Sequence, residues 1–348
     1  MSQLEKLFRN IFKIMKALFY NFQKKKFFFK ENPPPQTKED EVLVRIRSSA
    51  LCGTDLHIIK GPLTSKIYNK KEIILGHAFA GVVIGMGKKV KNFKKGDRIF
   101  ASSFIWCGKC KKCREGKENF CDDRFVFGME APGSHTEHIS VPQRAVFHLP
   151  KNINFNEGSF ITDNLALDFH AFKKADVNPS EKVLIFGAGP VGLILGMLLR
   201  LFKIKSVFVS EPGKYRQNLA KKLFNPEIIF EKYLKNFKNY FDVVFEVSGD
   251  IKTLDYGQKL LKRGGKMIMI GVQSKNRNLN FLKLISRELS LLGVFEFTVE
   301  DIKKSLKLLT TKKINLKKVI THKFPLIEGE KAYRLLKNKR SGKIILTI

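Results

Sequence analysis

Four cysteines fall within fifteen residues of the chain and are separated by two, two and seven residues. They are Cys107, Cys110, Cys113 and Cys121. Thiolates are soft ligands, and four of them suit a closed tetrahedral Zn²⁺ site. Two disulfides, or cysteines without a common role, are the alternative, but spacing this tight disfavours ordinary bridges. The cluster therefore predicts a structural zinc site, and by itself it says nothing about catalysis.

A second set of possible ligands is spread over three distant segments. Cys52 opens the stretch Cys-Gly-Thr-Asp-Leu-His, which also holds Thr54 and His57, while His77 and Asp163 lie farther along the chain. One thiol, one imidazole and one carboxylate can bind a metal ion. No local spacing brings these three together, because they are far apart in sequence. The residues alone only suggest a shared metal, and roles in the core or on the surface stay open.

A glycine-rich turn stands between a predicted strand at residues 181–186 and an apolar helix at residues 193–201. The turn consists of Gly187, Ala188, Gly189, Pro190, Val191 and Gly192. In such a turn the first glycine makes the bend and the second lets the backbone approach a pyrophosphate. The third allows close packing of helix on strand. The pattern predicts a dinucleotide site at a helix N-terminus.

An acidic residue follows the next predicted strand. Residues 207–210 form that strand and Glu211 ends it, about twenty residues after the turn. A carboxylate here accepts hydrogen bonds from ribose hydroxyls and repels a 2′-phosphate, which favours NAD over NADP. Lys214 and Arg216 lie just beyond and would soften that preference, and a solvated surface charge is the alternative role for Glu211.

The rest of the chain continues the alternation of strands and helices. Further strands are predicted at residues 241–247, 266–271 and 289–295. This order predicts an α/β fold with a doubly wound parallel sheet spanning roughly residues 165–300.

The motifs occur in an order that resembles the zinc-containing medium-chain alcohol dehydrogenases, within the medium-chain dehydrogenase/reductase superfamily. That order is C-G-[ST]-D-x-H, G-H-E-x-x-G, G-D-R-V, the four-cysteine cluster, a ligand at a helix start, and G-x-G-x-x-G. The matching segments here are Cys52 to His57, Gly76 to Gly81, Gly96 to Ile99, Cys107 to Cys121, and Gly187 to Gly192. The resemblance extends from Met15 to the C-terminus.

The resemblance implies two domains. A GroES-like β-barrel catalytic domain would occupy residues 15–164 and be completed by residues 301–348. A Rossmann NAD-binding domain would occupy residues 165–300. Residues 1–14 would be an N-terminal extension, although their amphipathic pattern also fits a targeting or membrane-surface helix.

The resemblance also implies a role for each candidate site residue. Cys52, His77 and Asp163 would hold a catalytic zinc ion and leave its fourth position open. Thr54 would hydrogen-bond the substrate oxygen, and His57 would pass the proton outward; packing at a strand end is the alternative for these two. With the four-cysteine site, two zinc ions per chain are expected.

One residue departs from the family pattern. Ala78 stands where the family has Glu after the histidine ligand. In relatives that carboxylate lies beside or on the zinc, so the change raises the alternative of a disabled site. The expected function remains a zinc-dependent transfer of hydride between an alcohol or polyol and NAD. Phe104, Trp106 and Phe127 would line an apolar pocket or pack in the core.

The charge of the chain suggests another class of function. Lys and Arg total 65 against 32 Asp and Glu, a formal net charge of +33. The lysines are scattered through every segment, which indicates an A/T-rich coding bias more than a polyanion- or membrane-binding role. The alternatives are therefore a polyanion- or membrane-associated protein with a vestigial dehydrogenase core, or a zinc-independent quinone-reductase-like enzyme.

The remaining expectations concern partners and location. Four of the five cysteines are clustered, which fits a reducing compartment, and a cytoplasmic location is expected. The sequence contains no run of eighteen consecutive apolar residues, so no transmembrane segment is predicted. The expected partners are a small-molecule alcohol or carbonyl substrate and further copies of the chain in a homodimer or homotetramer, with no specific nucleic acid.

Overall fold

The structure is a computed structural model. It describes residues 14–60, 67, 69, 71–272 and 279–348. The amphipathic helix predicted for residues 1–14 lies outside the described residues except for Ile14. In the described part of the chain, no helix is long and apolar enough to cross a membrane.

The chain divides into two compact units. Unit 1 contains the described residues up to Asp163 together with Lys323–Lys337 and Ile344–Ile348. Unit 2 contains Asn164–His322 and Asn338–Lys343. Both units are therefore discontinuous in sequence.

The described residues contain the following strands. They are β1 (Met15–Asn21), β2 (Lys26–Asn32), β3 (Glu41–Ala50), β4 (Glu72–Ile74), β5 (Ala78–Met86), β6 (Arg98–Ala101), β7 (Phe104–Ile105), β8 (Phe125–Val126), β9 (His138–Pro142), β10 (Val146–His148), β11 (Lys182–Phe186), β12 (Ser206–Ser210), β13 (Glu227–Ile228), β14 (Phe241–Glu246), β15 (Leu261–Met269), β16 (Ser290–Gly293), β17 (Ile320–Pro325) and β18 (Lys343–Thr347).

The α-helices carry several of the site residues. They are α1 (Gly53–Lys60), α2 (Lys111–Arg114), α3 (Phe155–Gly158), α4 (Leu167–Ala175), α5 (Pro190–Leu201), α6 (Lys214–Phe224), α7 (Lys252–Leu260), α8 (Phe281–Ser286), α9 (Val299–Thr310) and α10 (Gly329–Lys337).

Unit 1 is built around the long strand β3. This strand pairs antiparallel with β5, β9 and β18, within a sheet of order β10–β6–β5–β3–β18–β17 that β9 joins through β3. Val42, Val44 and Ile46 are wholly buried, while Arg45 and Arg47 between and beyond them are exposed. This alternation is what a strand with one buried face requires. The GroES-like, largely antiparallel architecture expected from the family resemblance is present.

Unit 2 is a six-stranded parallel sheet with the order β13–β12–β11–β14–β15–β16. Every neighbouring pair in it is parallel. If these six strands are numbered 1 to 6 along the sequence, their order in the sheet is 3-2-1-4-5-6, which is the arrangement of the Rossmann fold. The core under the sheet includes the wholly buried Phe241, Val244 and Met267. The prediction of a doubly wound parallel sheet is confirmed.

The division of the chain differs from the boundary placed at residue 300. Helix α9 belongs to unit 2, and unit 1 resumes only at Lys323. Asp301 in the first turn of α9 contacts His170 Nδ1 at 2.7 Å and Lys173 Nζ at 2.6 Å, and both partners lie on α4. These contacts join α9 to α4, so the unit extends past the last strand of its sheet.

Candidate active site and metal centres

Three side chains from distant parts of unit 1 converge on one point. The sulfur of Cys52, a ring nitrogen of His77 and a carboxylate oxygen of Asp163 all lie within 4.8 Å of one another. His77 and Asp163 are buried, and Cys52 is half-buried. The fold thus joins residues that no local sequence spacing connects.

Helices and strands of unit 1 position each of these three residues. Cys52 directly precedes α1, and His77 directly precedes β5. Asp163 lies in a π-helical turn, Ile161–Ala166, ahead of α4. Thr162 in that turn donates a hydrogen bond to the carbonyl of Ala101 at 3.0 Å, which ties the turn to β6. Single π-turns are rare and are frequent at functional sites.

The distances suit a small dication. His77 Nε2 and Asp163 Oδ1 are 3.2 Å apart, and two such ligands in a tetrahedral zinc site are about 3.3 Å apart. Burial opposes protonation of His77, but its hydrogen bonds with Asp163 and Cys52 outweigh that effect and hold the imidazole pKa well above its usual value. An environment that favours a cation on the ring also favours a metal ion between these ligands. The donor set therefore fits zinc.

Thr54 and His57 lie one turn apart on α1. The Thr54 hydroxyl is 3.5 Å from the Cys52 sulfur. Both side chains are half-buried, so neither is simply packed in the core at a strand end. Burial lowers the pKa of His57, and the positive charge of Lys60 lowers it further. His57 is therefore neutral near pH 7 and able to accept a proton.

The four clustered cysteines form a second centre in unit 1. Their sulfurs lie within 4.8 Å of one another, with Cys113 Sγ 3.9 Å from Cys107 Sγ and 3.4 Å from Cys110 Sγ. In a tetrahedral site with Zn–S of ~2.3 Å, neighbouring sulfurs are ~3.8 Å apart. All four are free thiols in this structure. The arrangement fits a tetrahedral zinc ion.

Backbone hydrogen bonds and burial act in opposite directions on the thiols of this cluster. The amide of Cys110 donates to Cys107 Sγ at 3.4 Å, and the amide of Cys107 donates to Cys121 Sγ at 3.3 Å. Backbone hydrogen bonds from Lys109 and Cys110 lower the pKa of Cys107 to about 6. Burial raises the pKa of Cys113 to about 12. A positive ion is needed to hold all four as thiolates.

The glycine-rich turn in unit 2 connects β11 to α5. Gly187 has φ +103°, which favours glycine, and a Cβ at Gly192 would lie 2.1 Å from the carbonyl oxygen of Gly187. A Cβ at Gly189 would meet only the Arg216 guanidinium, at 3.5 Å. Helix α5 begins with Pro190 and has no side-chain cap. The uncapped N-terminus of this helix and the close approach allowed at Gly189 fit a dinucleotide pyrophosphate.

Comparison with known protein families decides the class of the protein. Residues 38–151 match the alcohol dehydrogenase GroES-like domain, and residues 190–311 match the zinc-binding dehydrogenase domain. Together the two matches cover more than half of the chain.

The chain belongs to the zinc-containing medium-chain dehydrogenase family. It is an oxidoreductase of the zinc-dependent alcohol dehydrogenase type, with zinc and a nicotinamide cofactor. The alternatives of a polyanion-binding protein and of a zinc-independent quinone-reductase-like enzyme are not favoured.

Individual relatives match along nearly the whole chain. L-threonine 3-dehydrogenase of Legionella pneumophila (strain Corby) is 28% identical over 340 residues, covering 95% of this chain and 99% of that protein. Galactitol-1-phosphate dehydrogenase of Escherichia coli is 25% identical with a TM-score of 0.85, covering 96% and 100%. The alcohol dehydrogenase TADH of Thermus sp. ATN1 shares the fold, with 24% identity, a TM-score of 0.87 and coverage of 96% and 100%.

Glu211 lies against the glycine-rich turn of this dehydrogenase. One carboxylate oxygen accepts from the Ala188 amide at 2.9 Å and the other from the Gly213 amide at 2.8 Å. Arg216 is buried and donates through Nε to the Ser341 carbonyl at 3.0 Å. Lys214 is exposed. The two cations named from the sequence thus differ in their surroundings, because only Lys214 extends into solvent.

Ala78 and the three aromatic residues are part of the dehydrogenase core. Ala78, which replaces the family's Glu, is wholly buried at the start of β5 and offers no ligand. Phe104, Trp106 and Phe127 are each at most 5% exposed. Phe104 packs on Trp106, and Phe127 packs on Phe79. Of the two roles left open for the three aromatic residues, the structure supports packing in the core.

Sequence reasoning gave no role to three polar residues near the metal ligands. Asp55 is wholly buried, and its Oδ1 lies 3.5 Å from His77 Nδ1. His135 and Tyr333 are also buried, and His135 Nε2 lies 2.7 Å from the Tyr333 hydroxyl. The position of Asp55 within the Cys-Gly-Thr-Asp motif was a usable signal. His135 and Tyr333 are 198 residues apart, and nothing in their local sequence indicates that they meet.

Proposed function

We propose that this protein oxidises an alcohol or polyol with NAD, and that Cys52, His77 and Asp163 bind its catalytic zinc. The observation that carries the proposal is the convergence of one sulfur, one imidazole nitrogen and one carboxylate oxygen within 4.8 Å. Three protein ligands leave one position open for substrate, as catalytic zinc requires. Reduction of the matching aldehyde or ketone would use the same groups.

When bound, zinc polarises the substrate oxygen and the nicotinamide ring accepts the hydride. The protein's own side chains handle the proton. The Thr54 hydroxyl, 3.5 Å from the Cys52 sulfur, would accept the proton of the substrate hydroxyl. His57 lies one helical turn farther along α1, and its neutral ring takes the proton onward.

The four-cysteine lobe would hold a second, structural zinc ion. Its four ligand positions are all supplied by protein sulfurs, which leaves no open position for chemistry. Two zinc ions per chain follow from this assignment.

NAD is the proposed cofactor in preference to NADP. Glu211 is a buried carboxylate beside the glycine-rich turn. A negative charge there accepts hydrogen bonds from ribose hydroxyls and repels a 2′-phosphate. Among the described residues 211–216, Lys214 is the only exposed residue with a positive charge that would attract a 2′-phosphate.

The names of the relatives supply the first substrates to examine. L-threonine 3-dehydrogenase is named for the oxidation of a β-hydroxy amino acid, and galactitol-1-phosphate dehydrogenase for that of a polyol phosphate. Both substrates carry a secondary alcohol. We therefore place threonine and polyols ahead of simple primary alcohols for this chain.

A homodimer or homotetramer is the proposed assembly. Helix α8 exposes Phe281, Leu282 and Ile285 at 68%, 75% and 76%. The helix immediately precedes β16, the edge strand of the parallel sheet. Exposed apolar groups beside an open sheet edge are suited to contact with a second copy, and light scattering measures the assembly directly. The five free thiols favour a reducing compartment, the cytoplasm.

Metal analysis of matched cysteine variants tests the two-zinc assignment. Wild type is expected to hold two zinc ions per chain. Cys52→Ser should hold one and lose alcohol oxidation, while Cys110→Ser should lose the other ion. One ion in wild type, with activity unaffected by Cys52→Ser, would overturn the catalytic zinc site.

A further inference from the structure

A groove in unit 2 is lined almost entirely by positively charged side chains. Its volume is about 440 Å³, a size typical of small-molecule sites. Six of the seven residues that line it are Lys or Arg, and none of the seven is acidic. The six are Lys238, Lys259, Lys262, Arg263, Lys283 and Arg287. Such a lining is suited to an anion.

The groove lies far from the glycine-rich turn of the same unit. Residues 238–239 directly precede β14, and residues 259–263 form the end of α7 and the start of β15. Both strands run parallel with β11, whose other end leads into the glycine-rich turn. The two sites therefore lie at opposite edges of the sheet, and the five residues of β11 between them span about 17 Å.

Backbone hydrogen bonds join the segments that form the groove. The Asn239 amide donates to the Lys259 carbonyl at 3.1 Å. The Gly264 amide donates to the Arg287 carbonyl at 2.8 Å. The loop before β14, the start of β15 and the segment after α8 are thus held together by the backbone. The groove is therefore part of the folded unit.

Two arginines form the fixed part of the lining. Arg263 Nη1 donates to the Ser286 carbonyl at 3.3 Å, and Arg287 Nη1 donates to the Gln258 carbonyl at 2.7 Å. Arg287 Nη2 also donates to the Leu261 carbonyl. A guanidinium has five N–H donors, so each arginine keeps donors beyond those that the carbonyls use. Guanidinium groups match the paired oxygens of a phosphate.

Most of the positive charge in the groove has no carboxylate partner. Lys262 Nζ contacts Asp242 Oδ1 at 2.7 Å. Within the described residues, the side chains of Lys238, Lys259 and Lys283 form no ion pair, and neither do the two arginines of the groove. A concave surface lined by one sign of charge focuses the field and raises the local concentration of counter-ions. The groove should therefore attract anions more strongly than lysines scattered over a flat surface.

We propose that this groove binds a compact oligophosphate, either the triphosphate of a nucleotide or free tripolyphosphate. Five cations without a carboxylate partner suit a ligand that carries several negative charges close together. No aromatic side chain is among the described residues that line the groove, so a nucleotide base has nothing there to stack on. The phosphate chain is the recognised part, and both sources of it bind alike. This site is separate from the dinucleotide site and does not depend on the zinc assignment.

Equilibrium binding of tripolyphosphate to the zinc-loaded enzyme tests the site, with NADH at saturation to fill the dinucleotide site. The variant Lys259→Gln/Lys283→Gln removes two charges from the groove. Lys221→Gln/Lys222→Gln is the matched control, because it removes the same charge from exposed lysines on α6 of the same unit. We expect one tripolyphosphate per wild-type chain, about tenfold weaker binding in the groove variant and unchanged binding in the control. Any capture of zinc by tripolyphosphate is the same in both variants.

A substitution that keeps the charge separates phosphate recognition from simple attraction. Arg263→Lys retains a positive charge but loses the paired N–H groups of the guanidinium. Binding should weaken by about three- to tenfold, the effect of one lost hydrogen bond. With NADH still at saturation, ATP should bind as tightly as tripolyphosphate, and AMP at least about tenfold more weakly.

Four results would overturn the inference. An equal loss in the control variant would show that the net charge of the chain, and not the groove, attracts the ligand. Unchanged binding in either groove variant would have the same meaning. Binding that disappears when NADH is present would assign the ligand to the dinucleotide site. Binding of ATP without binding of tripolyphosphate would show that the phosphate chain is not the recognised part.

Discussion

Glu211 carries the proposed preference for NAD, and its charge can be removed with little change of shape. Glu211→Gln keeps an amide oxygen to accept a hydrogen bond from the Ala188 or Gly213 amide. Without the negative charge, a 2′-phosphate is no longer repelled. We expect the ratio of kcat/KM for NADP to that for NAD to rise by about tenfold, which corresponds to about 1.4 kcal/mol.

Steady-state kinetics with both cofactors measures this ratio. Glu227→Gln is the matched control, because Glu227 is an exposed glutamate of the same sheet and should leave the ratio unchanged. A ratio that stays the same in Glu211→Gln would show that Glu211 does not select the cofactor.

His57 is expected to set the acid side of the pH profile. Burial lowers the pKa of its imidazole, so the neutral, proton-accepting form persists below the usual histidine range. Alcohol oxidation by wild type should decline as the pH falls through that lowered pKa. His57→Gln should reduce kcat about 10- to 100-fold at neutral pH and remove this decline.

The exposed His148 provides the control for this variant. His148→Gln should keep the wild-type pH profile, since His148 lies on β10 and is exposed. An unchanged acid limb in His57→Gln would show that another group passes the proton.

At the level of single residues, sequence spacing predicted the four-cysteine cluster because all its members lie in one loop region. The convergence of Cys52, His77 and Asp163 followed only from the family resemblance. Tyr333 and His135 were not predicted at all. Their contact depends on how a helix near the C-terminus packs on the first unit, and no short pattern encodes that.

The N-terminus of helix α9 is stabilised by a buried carboxylate. Asp301 forms a capping box with Thr298 and contacts His170 and Lys173 on α4. Burial alone would raise the pKa of Asp301, but the hydrogen bonds from His170 and Lys173 hold it well below its usual range. Removing one partner of a buried ion pair leaves the others uncompensated.

Asp301→Asn should therefore destabilise the protein by about 3 kcal/mol, measured by denaturant unfolding at pH 7. Because the folded-state pKa is depressed, this stability is present above the unfolded pKa of about 4. It is lost as the pH falls through the folded-state value. The difference between the variant and wild type should thus shrink in acid.

The neighbouring Glu300 is a matched control. Its pair with Lys304 is exposed on the same helix, so Glu300→Gln should change stability little. Equal effects of the two substitutions, or a difference that grows in acid, would contradict the role given to Asp301.

Helices and strands were predictable to the extent that their patterns are local. The strand predicted at residues 181–186 and the apolar helix predicted after the glycine-rich turn both correspond to observed elements. The π-helical turn that holds Asp163 was not predicted, since no sequence signal marks one. The inclusion of α9 in unit 2 was also missed, because it depends on the ion pairs of Asp301 with α4.

At the scale of the whole molecule, the charge of +33 predicts non-specific adhesion to polyanions. The lysines are distributed over the chain, and no nucleic-acid-binding motif accompanies them. Retention on a polyanionic resin at low ionic strength should be lost with a modest rise in salt, since such binding depends on counterion release. Retention of RNA that resists physiological salt would instead revive a specific binding role.

The fold of unit 2 was predictable because it repeats one local rule. Strands alternate with helices over unit 2, and right-handed crossovers leave few ways to arrange them. The antiparallel sheets of unit 1 were expected only from the family resemblance. Their long-range pairings, such as β3 with β18, are not encoded in adjacent sequence.

The most direct test of the account is turnover by zinc-loaded wild type and Cys52→Ser on a panel of alcohols. The panel contains primary alcohols, secondary alcohols, polyols and threonine, each with NAD and with NADP, and formation of the reduced cofactor is followed by absorbance. Oxidation of at least one alcohol by wild type with NAD, abolished in Cys52→Ser, is the predicted result. Equal turnover by both proteins would contradict the claim that Cys52, His77 and Asp163 form the catalytic zinc site of an alcohol dehydrogenase. The absence of turnover by fully zinc-loaded wild type on every alcohol of the panel would contradict it too.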